Sequence, residues 1–139
     1  KAAQVWQPAQ LILIYPMLDA TAYFESYTSN GEDYVITRDA LLSGYELYFG
    51  DTDPMHPEAS PLWRDDFNGL PPVHILTAEY DPLCDEGEAL FQRLTEQGVA
   101  CSCQHHLGVI HGFFQLAGIS KTARGAIRDV AWRLRALPH

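Results

Sequence analysis

The sequence predicts an α/β fold of three parallel strands with flanking helices, on three observations. Short, continuously apolar runs stand at residues 10–15 (QLILIY) and 73–78 (VHILTA). Such runs suit strands covered on both faces, as in a parallel sheet, rather than strands with one face in water. Stretches with apolar residues at helical spacing lie between and after them. The resulting order is strand, helix, strand, helix, strand, helix, which calls for βαβ crossovers.

The first strand, residues 10–15, is closed by Pro16. Residues 20–36 are polar and aromatic with an Asn30-Gly31 turn signal, and read as loop. Thr37 is placed to N-cap a helix over 38–49, whose apolar face is Leu41, Leu42, Tyr45 and Phe49, with Gly50 at its end. Three prolines between 51 and 61 predict a long surface loop. Pro71-Pro72 introduce the second strand, 73–78; a helix follows over about 82–97, with Leu90 and Leu94 inward and Gly98 ending it. The third strand spans 99–105. The last helix, 121–137, carries Ile127, Val130, Ala131, Leu134 and Leu137 on its expected inner face, with Arg124, Arg128 and Arg135 elsewhere on the wheel.

A length of 139 residues suffices for one domain with a core and is too short to argue for two. A net charge of −9 speaks against a nucleic-acid partner, because phosphate neutralisation needs clustered Lys and Arg. The longest apolar run, 11–15, is strand-sized, so no membrane span is expected, and no basic-then-apolar start resembles a signal peptide. Three cysteines, an odd number, argue against a disulfide framework and fit a reducing compartment; a cytoplasmic location is the expectation.

Two stretches carry chemistry. Glu79-Tyr80-Asp81-Pro82-Leu83-Cys84-Asp85-Glu86-Gly87 follows the second strand, and Ile110-His111-Gly112-Phe113 follows the third. Sites in open parallel sheets form beyond the carboxyl ends of the strands. If these two strands are neighbours, Asp81 and His111 can meet, the carboxylate fixing the imidazole tautomer and stabilising the imidazolium formed in proton transfer. Gly112 would permit close backbone approach at that point. Both residues also admit a structural account. Asp81-Pro82 reads as an N-cap followed by proline at N1, with Asp85, Glu86 and Glu88 opposing the helix macrodipole. His111 reads equally as a hydrogen-bonded structural histidine. Spacing leaves both accounts open.

The chain resembles bacterial esterases of the hormone-sensitive-lipase-like branch of the α/β-hydrolase fold. The likeness rests on Tyr15-Pro16-Met17-Leu18-Asp19, Ser60-Pro61-Leu62, Gly69-Leu70-Pro71-Pro72 and the two stretches just described. It implies that Asp81 is the triad acid and His111 the general base of a serine carboxylesterase or lipase-like hydrolase of small acyl esters. Asp85 becomes a first-turn acid supporting the loop or helix. No metal or organic cofactor is implied. Cys84 stands where an arginine is common in that family, with little expected consequence for the chemistry.

None of the six serines (Ser26, Ser29, Ser43, Ser60, Ser102 and Ser120) lies in a G-x-S-x-G context, and no H-G-G run is present to build an oxyanion hole. The expectation is therefore a single partial domain over 1–139, the C-terminal half of a hydrolase whose nucleophile half and cap precede Lys1. By that reading the 139 residues are inactive on their own, and their partners are the nucleophile half and a small ester. The alternative is a non-catalytic fragment or assembly partner retaining half of the fold. The first strand would present an unpaired edge, inviting a homodimer or aggregation.

Other groups are weaker candidates. Cys101, Cys103 and His105 alternate on one strand face at about 6.5–7 Å spacing, wide for ligands that bind zinc at about 2.0–2.3 Å, so packing cysteines are expected there. Cys84 has no obvious base beside it in the sequence, and a cysteine nucleophile is not expected. His105 and His106 should point to opposite faces. Tyr23, Phe24 and Tyr27 form an aromatic loop cluster that could meet substrate, though packing is the commoner role.

Overall fold

A computed structural model describes residues 7–137. Both apolar runs and the third predicted strand join one sheet. β1 (Leu11–Ile14), β2 (Val73–Tyr80) and β3 (Cys101–Ile110) pair in parallel in the order β1-β2-β3. Leu11 pairs with Val73 and Val73 with Cys101, so the strands start level and all three carboxyl ends emerge on one side.

Strand alternation sorts the sheet into two faces. Val73 and Ile75, with Leu11 and Leu13, pack against Leu90 and Leu94 of helix α3 (Cys84–Glu96). Leu76 and Ala78, with Ile12 and Ile14, pack against Ala123 and Ala126 of α4 (Lys121–Arg135). α3 sits close to the sheet because it presents Gly87 there: a Cβ at that position would lie 2.7 Å from Thr77 Cγ2. α1 (Ser26–Ser29) and α2 (Arg38–Phe49) belong to the long excursion between β1 and β2. There Leu41 and Tyr27 join Leu83 in a third small core. No helix of the described residues is long and apolar enough to cross a membrane.

Several expectations hold. Thr37 caps α2 by accepting the Ala40 N–H at 3.2 Å, and Leu41 and Tyr45 are its buried residues. Others need correction. β2 is buried on both faces, but β1 is only half-buried, because β2 is its one strand neighbour among the described residues. Residues 20–36 are not all loop: α1 forms there and buries Tyr27. The loop over 51–61 is not wholly superficial, since Ala59 and Ser60 are buried.

α3 begins at Cys84 rather than near Pro82, because the Asp81 side chain closes a turn onto the Leu83 N–H (2.9 Å) before the helix starts. β3 ends five residues later than its polar composition suggested. It stays paired with β2 through a bulge, where the register passes from Ala78↔His106 to Tyr80↔Ile110. Gly108 takes φ +70° there, a left-handed conformation suited to glycine, and its N–H donates to Glu79 Oε2 at 2.6 Å. α4 seats itself through Ala123 and Ala126, whose small side chains let it approach the sheet. Ile127 and Leu134, expected inward, are 36% and 52% exposed.

Candidate active site

The level start of the strands has a direct chemical consequence. Tyr15 follows β1, Asp81 follows β2 and His111 follows β3, and all three meet beyond the carboxyl end of the sheet. His111 Nδ1 lies 2.8 Å from Asp81 Oδ2. The Asp81 side chain is 1% exposed and that of His111 20%, so the carboxylate is sealed while the ring reaches the surface.

Asp81 does not N-cap α3, which starts at Cys84 after Leu83, but its carboxylate makes two contacts at once. Oδ1 accepts the Leu83 N–H in the turn before α3, and Oδ2 faces the imidazole. The turn is braced from outside by Asn30, whose side-chain amide donates to the carbonyls of Glu79 (3.0 Å) and Asp81 (3.3 Å). The His111 ring is backed by Tyr15, with ring centroids 4.5 Å apart and planes tilted by 56°. Burial, and then the charge of Asp81, raises the Tyr15 phenol above its ordinary range, so it stays neutral beside the pair. Gly112 has φ +77°, with nothing within 4 Å of where its Cβ would be. Its role is therefore the left-handed turn that follows His111, not the close approach expected from sequence.

A carboxylate at Nδ1 favours the tautomer with its proton on Nδ1, which leaves the Nε2 lone pair as a base. Among the described residues no serine hydroxyl hydrogen-bonds His111. Ser26 donates to the Pro82 carbonyl, Ser60 to the Pro54 carbonyl, Ser29 to the Glu25 carbonyl, Ser102 pairs with His74 and Ser120 caps α4. Asp85, the other acid of the motif, accepts the Ser26 N–H at 2.8 Å and so tethers α1 to α3.

Three residues that support this corner escaped the sequence reading. Tyr15 could have been found from its position at the end of the first apolar run. Asn30 had only a turn signal. Glu86 is fully buried, its carboxylate accepting the Leu18 N–H at 2.8 Å and the Tyr27 O–H at 3.2 Å. Burial pushes its carboxyl up to about 8. Its signal was helical spacing, since it precedes Leu90 and Leu94 on one inward row.

The weaker candidates separate. Tyr27 is core at 1% exposure, Phe24 is half-buried and Tyr23 is 78% exposed. Cys101 and Cys103 pack against the α3 core, and His106 is buried beside Phe113 with ring centroids 5.0 Å apart. Cys84 does have a base nearby, contrary to expectation: His105 Nδ1 is 3.5 Å from its sulfur. Burial pushes that thiol up to about 12, with Glu88 and Asp85 adding to the effect, so it is not an activated nucleophile.

The description "alpha/beta hydrolase fold" belongs to the family model that matches residues 1–115. Carboxylic ester hydrolase LipN of Mycobacterium tuberculosis is 31% identical over 126 residues, covering 89% of this chain and 34% of that protein. The ethyl acetate hydrolase of Pseudomonas putida is 32% identical over 117 residues, covering 84% of this chain and 37% of that protein. Among solved structures, the Pyrobaculum calidifontis esterase superposes with a TM-score of 0.81 at 32% identity, over 88% of this chain and 41% of the other. The chain thus spans about a third to two fifths of these relatives' lengths. With the motifs, the parallel sheet and the family match in agreement, this chain belongs to the α/β-hydrolase fold family.

Proposed function

We propose that these 139 residues form part of a single hydrolase domain and supply the acid and base of a serine carboxylesterase acting on small acyl esters. The observation that carries this reading is the 2.8 Å contact between His111 Nδ1 and Asp81 Oδ2 at the ends of adjacent parallel strands. The small-ester assignment rests on the relatives' names, an ethyl acetate hydrolase among them. The nucleophilic serine and oxyanion donors come from polypeptide outside these residues, joining the sheet at the outer edge of β1. The cytoplasm, where free cysteines persist, is the location we assign.

In this mechanism the serine hydroxyl attacks the ester carbonyl while His111 Nε2 takes its proton. The imidazolium, held by Asp81, returns that proton to the departing alcohol. Water then enters by the same route, giving its proton to His111, which passes it to the serine oxygen as the acyl–serine bond breaks and the acid leaves. Tyr15 limits where the ring can turn, and Asp81 fixes which nitrogen faces the serine.

The test is to read and express the coding sequence upstream of Lys1. Extended by a G-x-S-x-G segment, the protein should hydrolyse p-nitrophenyl butyrate and be labelled at one serine by a phosphonate. The 139 residues on their own should do neither, because removing the serine costs on the order of 10⁶ in turnover. Phosphonate labelling of this chain accompanied by turnover would sink the reading. Light scattering on the same chain should show dimers or larger species, since among the described residues β1 has an unpaired outer edge. A monodisperse monomer with slowly exchanging amides at Leu11–Ile14 would remove β1 as the joining edge.

A further inference from the structure

A second cluster lies on the α3 side of the sheet, away from His111. Cys84 opens α3, Glu88 follows one turn later on the same helix, and His105 projects from β3 beneath them. Cys84 Sγ, Glu88 Oε1 and His105 Nδ1 lie within 4.8 Å of one another. The separations are 3.5 Å from sulfur to nitrogen, 3.7 Å from sulfur to oxygen, and 3.1 Å from nitrogen to oxygen.

Those three lengths have a geometric meaning. Zinc bonds thiolate sulfur at about 2.3 Å and imidazole nitrogen or carboxylate oxygen at roughly 2.0–2.2 Å. At tetrahedral angles, two such ligands stand about 3.3–3.6 Å apart. The observed triangle matches one face of that tetrahedron, with Glu88, the most exposed of the three, needing only a small adjustment. Hydrogen bonding accounts less well for the cluster. His105 Nδ1 also lies 3.0 Å from Thr77 Oγ1, so three polar atoms converge on a nitrogen that has one proton or one lone pair.

We propose that Cys84, Glu88 and His105 bind one borderline divalent transition metal, Zn²⁺ by the donor set, with water in the fourth position. Soft thiolate with imidazole disfavours Mg²⁺ and Ca²⁺, which take oxygen ligands. Cys84 is buried while Glu88 and His105 are partly exposed, which leaves an entry side for the ion. Binding forms the metal–sulfur bond, breaks the S–H bond and releases that proton to solvent, with no change of oxidation state. The carboxylates of Glu88 and Asp85 around the thiol favour the cation that replaces the proton.

The role is structural. The site clasps the first turn of α3, just after Asp81, to the strand that leads to His111. It is independent of the ester-hydrolase reading, because its ligand side chains do not bond the side chain of Asp81 or His111 among the described residues; Cys84 meets Asp81 through its backbone N–H on the Asp81 carbonyl.

Cobalt(II) titration of the full chain reads the site directly. One equivalent should give the near-ultraviolet thiolate-to-cobalt charge-transfer band with visible bands of tetrahedral intensity, and Zn²⁺ should displace it. Cys84→Ser should abolish the charge-transfer band, while Cys101→Ser and Cys103→Ser keep it. Glu88→Gln and His105→Ala should weaken binding by about tenfold or more. Equilibrium dialysis of the unsubstituted chain should find one Zn²⁺ bound per chain, which tests the site even if a variant fails to fold. A folded chain that shows no charge-transfer band and binds no Zn²⁺ overturns the proposal, as does a band that survives Cys84→Ser.

Discussion

Asp81 and Glu86 stand five residues apart, one before α3 and one in its first turn, and both are fully buried. Their surroundings differ in kind. Asp81 meets a backbone N–H and an imidazole that can accept a proton and carry the opposite charge. Glu86 meets a backbone N–H and a phenol, with no cation beside it among the described residues, and burial pushes its carboxyl up to about 8. Burial alone therefore does not make a carboxyl group a triad acid. The role we propose for Asp81 rests on its having a partner able to change charge during a reaction.

The sharpest way to break this contrast is at Asp81. In the complete enzyme, Asp81→Asn and His111→Ala should each lower turnover by about three to five orders of magnitude. The Leu83 N–H requires an acceptor at Oδ1, so the new amide nitrogen of Asp81→Asn must face His111. The ring then accepts at Nδ1 and carries its proton on Nε2, the wrong tautomer for a base. Assays with p-nitrophenyl butyrate give the magnitude; histidine nitrogen NMR gives the tautomer.

Glu86 should respond in stability. Glu86→Ala leaves the Leu18 N–H and the Tyr27 hydroxyl without this acceptor, at a cost of roughly 2–4 kcal/mol in urea unfolding. Glu86→Gln keeps an acceptor for Leu18 and should be far milder. The sign of its pH effect follows from the raised carboxyl. Between its ordinary 4.5 and about 8, the folded protein holds a proton that the unfolded chain releases. The stabilisation is full below about 4.5, falls as pH rises, and is gone above about 8. Glu86→Gln should flatten that decline; an unchanged pH slope would show that Glu86 is charged when folded.

The smallest effect belongs to Asp85, whose carboxylate only tethers the Ser26 N–H. Asp85→Asn should cost about tenfold or less in turnover, through the loop and the helix end. If it proves more damaging than Asp81→Asn, the two acids have been assigned in the wrong order.

How much of this was legible in the sequence depends on how local each cause is. The βαβ order, the Thr37 cap and the positions of Asp81 and His111 after their strands follow from short-range patterns, and the structure has them. The difference between β1 and β2 was not legible. Both are continuous apolar runs, and neighbour count, not composition, decides their burial. The seat of α4 was misread because two alanines set the approach, whereas the larger Ile127 and Leu134 dominate any hydrophobic wheel. The bracing of Asp81 by Asn30 joins residues 51 apart, a distance that no periodicity spans.

The bulge in β3 also sets a rule for length. Across it the pairing offset to β2 grows from 28 residues to 30, an even step. The two surplus residues, Leu107 and Gly108, are exposed, and beyond them Ile110 is again opposite Tyr80. Removing Leu107 by itself would leave one surplus residue and force the bulge to reform. Removing Leu107 and Gly108 together would let Val109 and Ile110 follow His106 directly, with Ile110 still opposite Tyr80 and His111 still beside Asp81. In the complete enzyme the double deletion should therefore keep more activity than the single one, losing the Gly108 N–H contact to Glu79 but not the reach of the histidine. The bulge is a tolerated detour in the strand, not part of the span between the histidine and its acid.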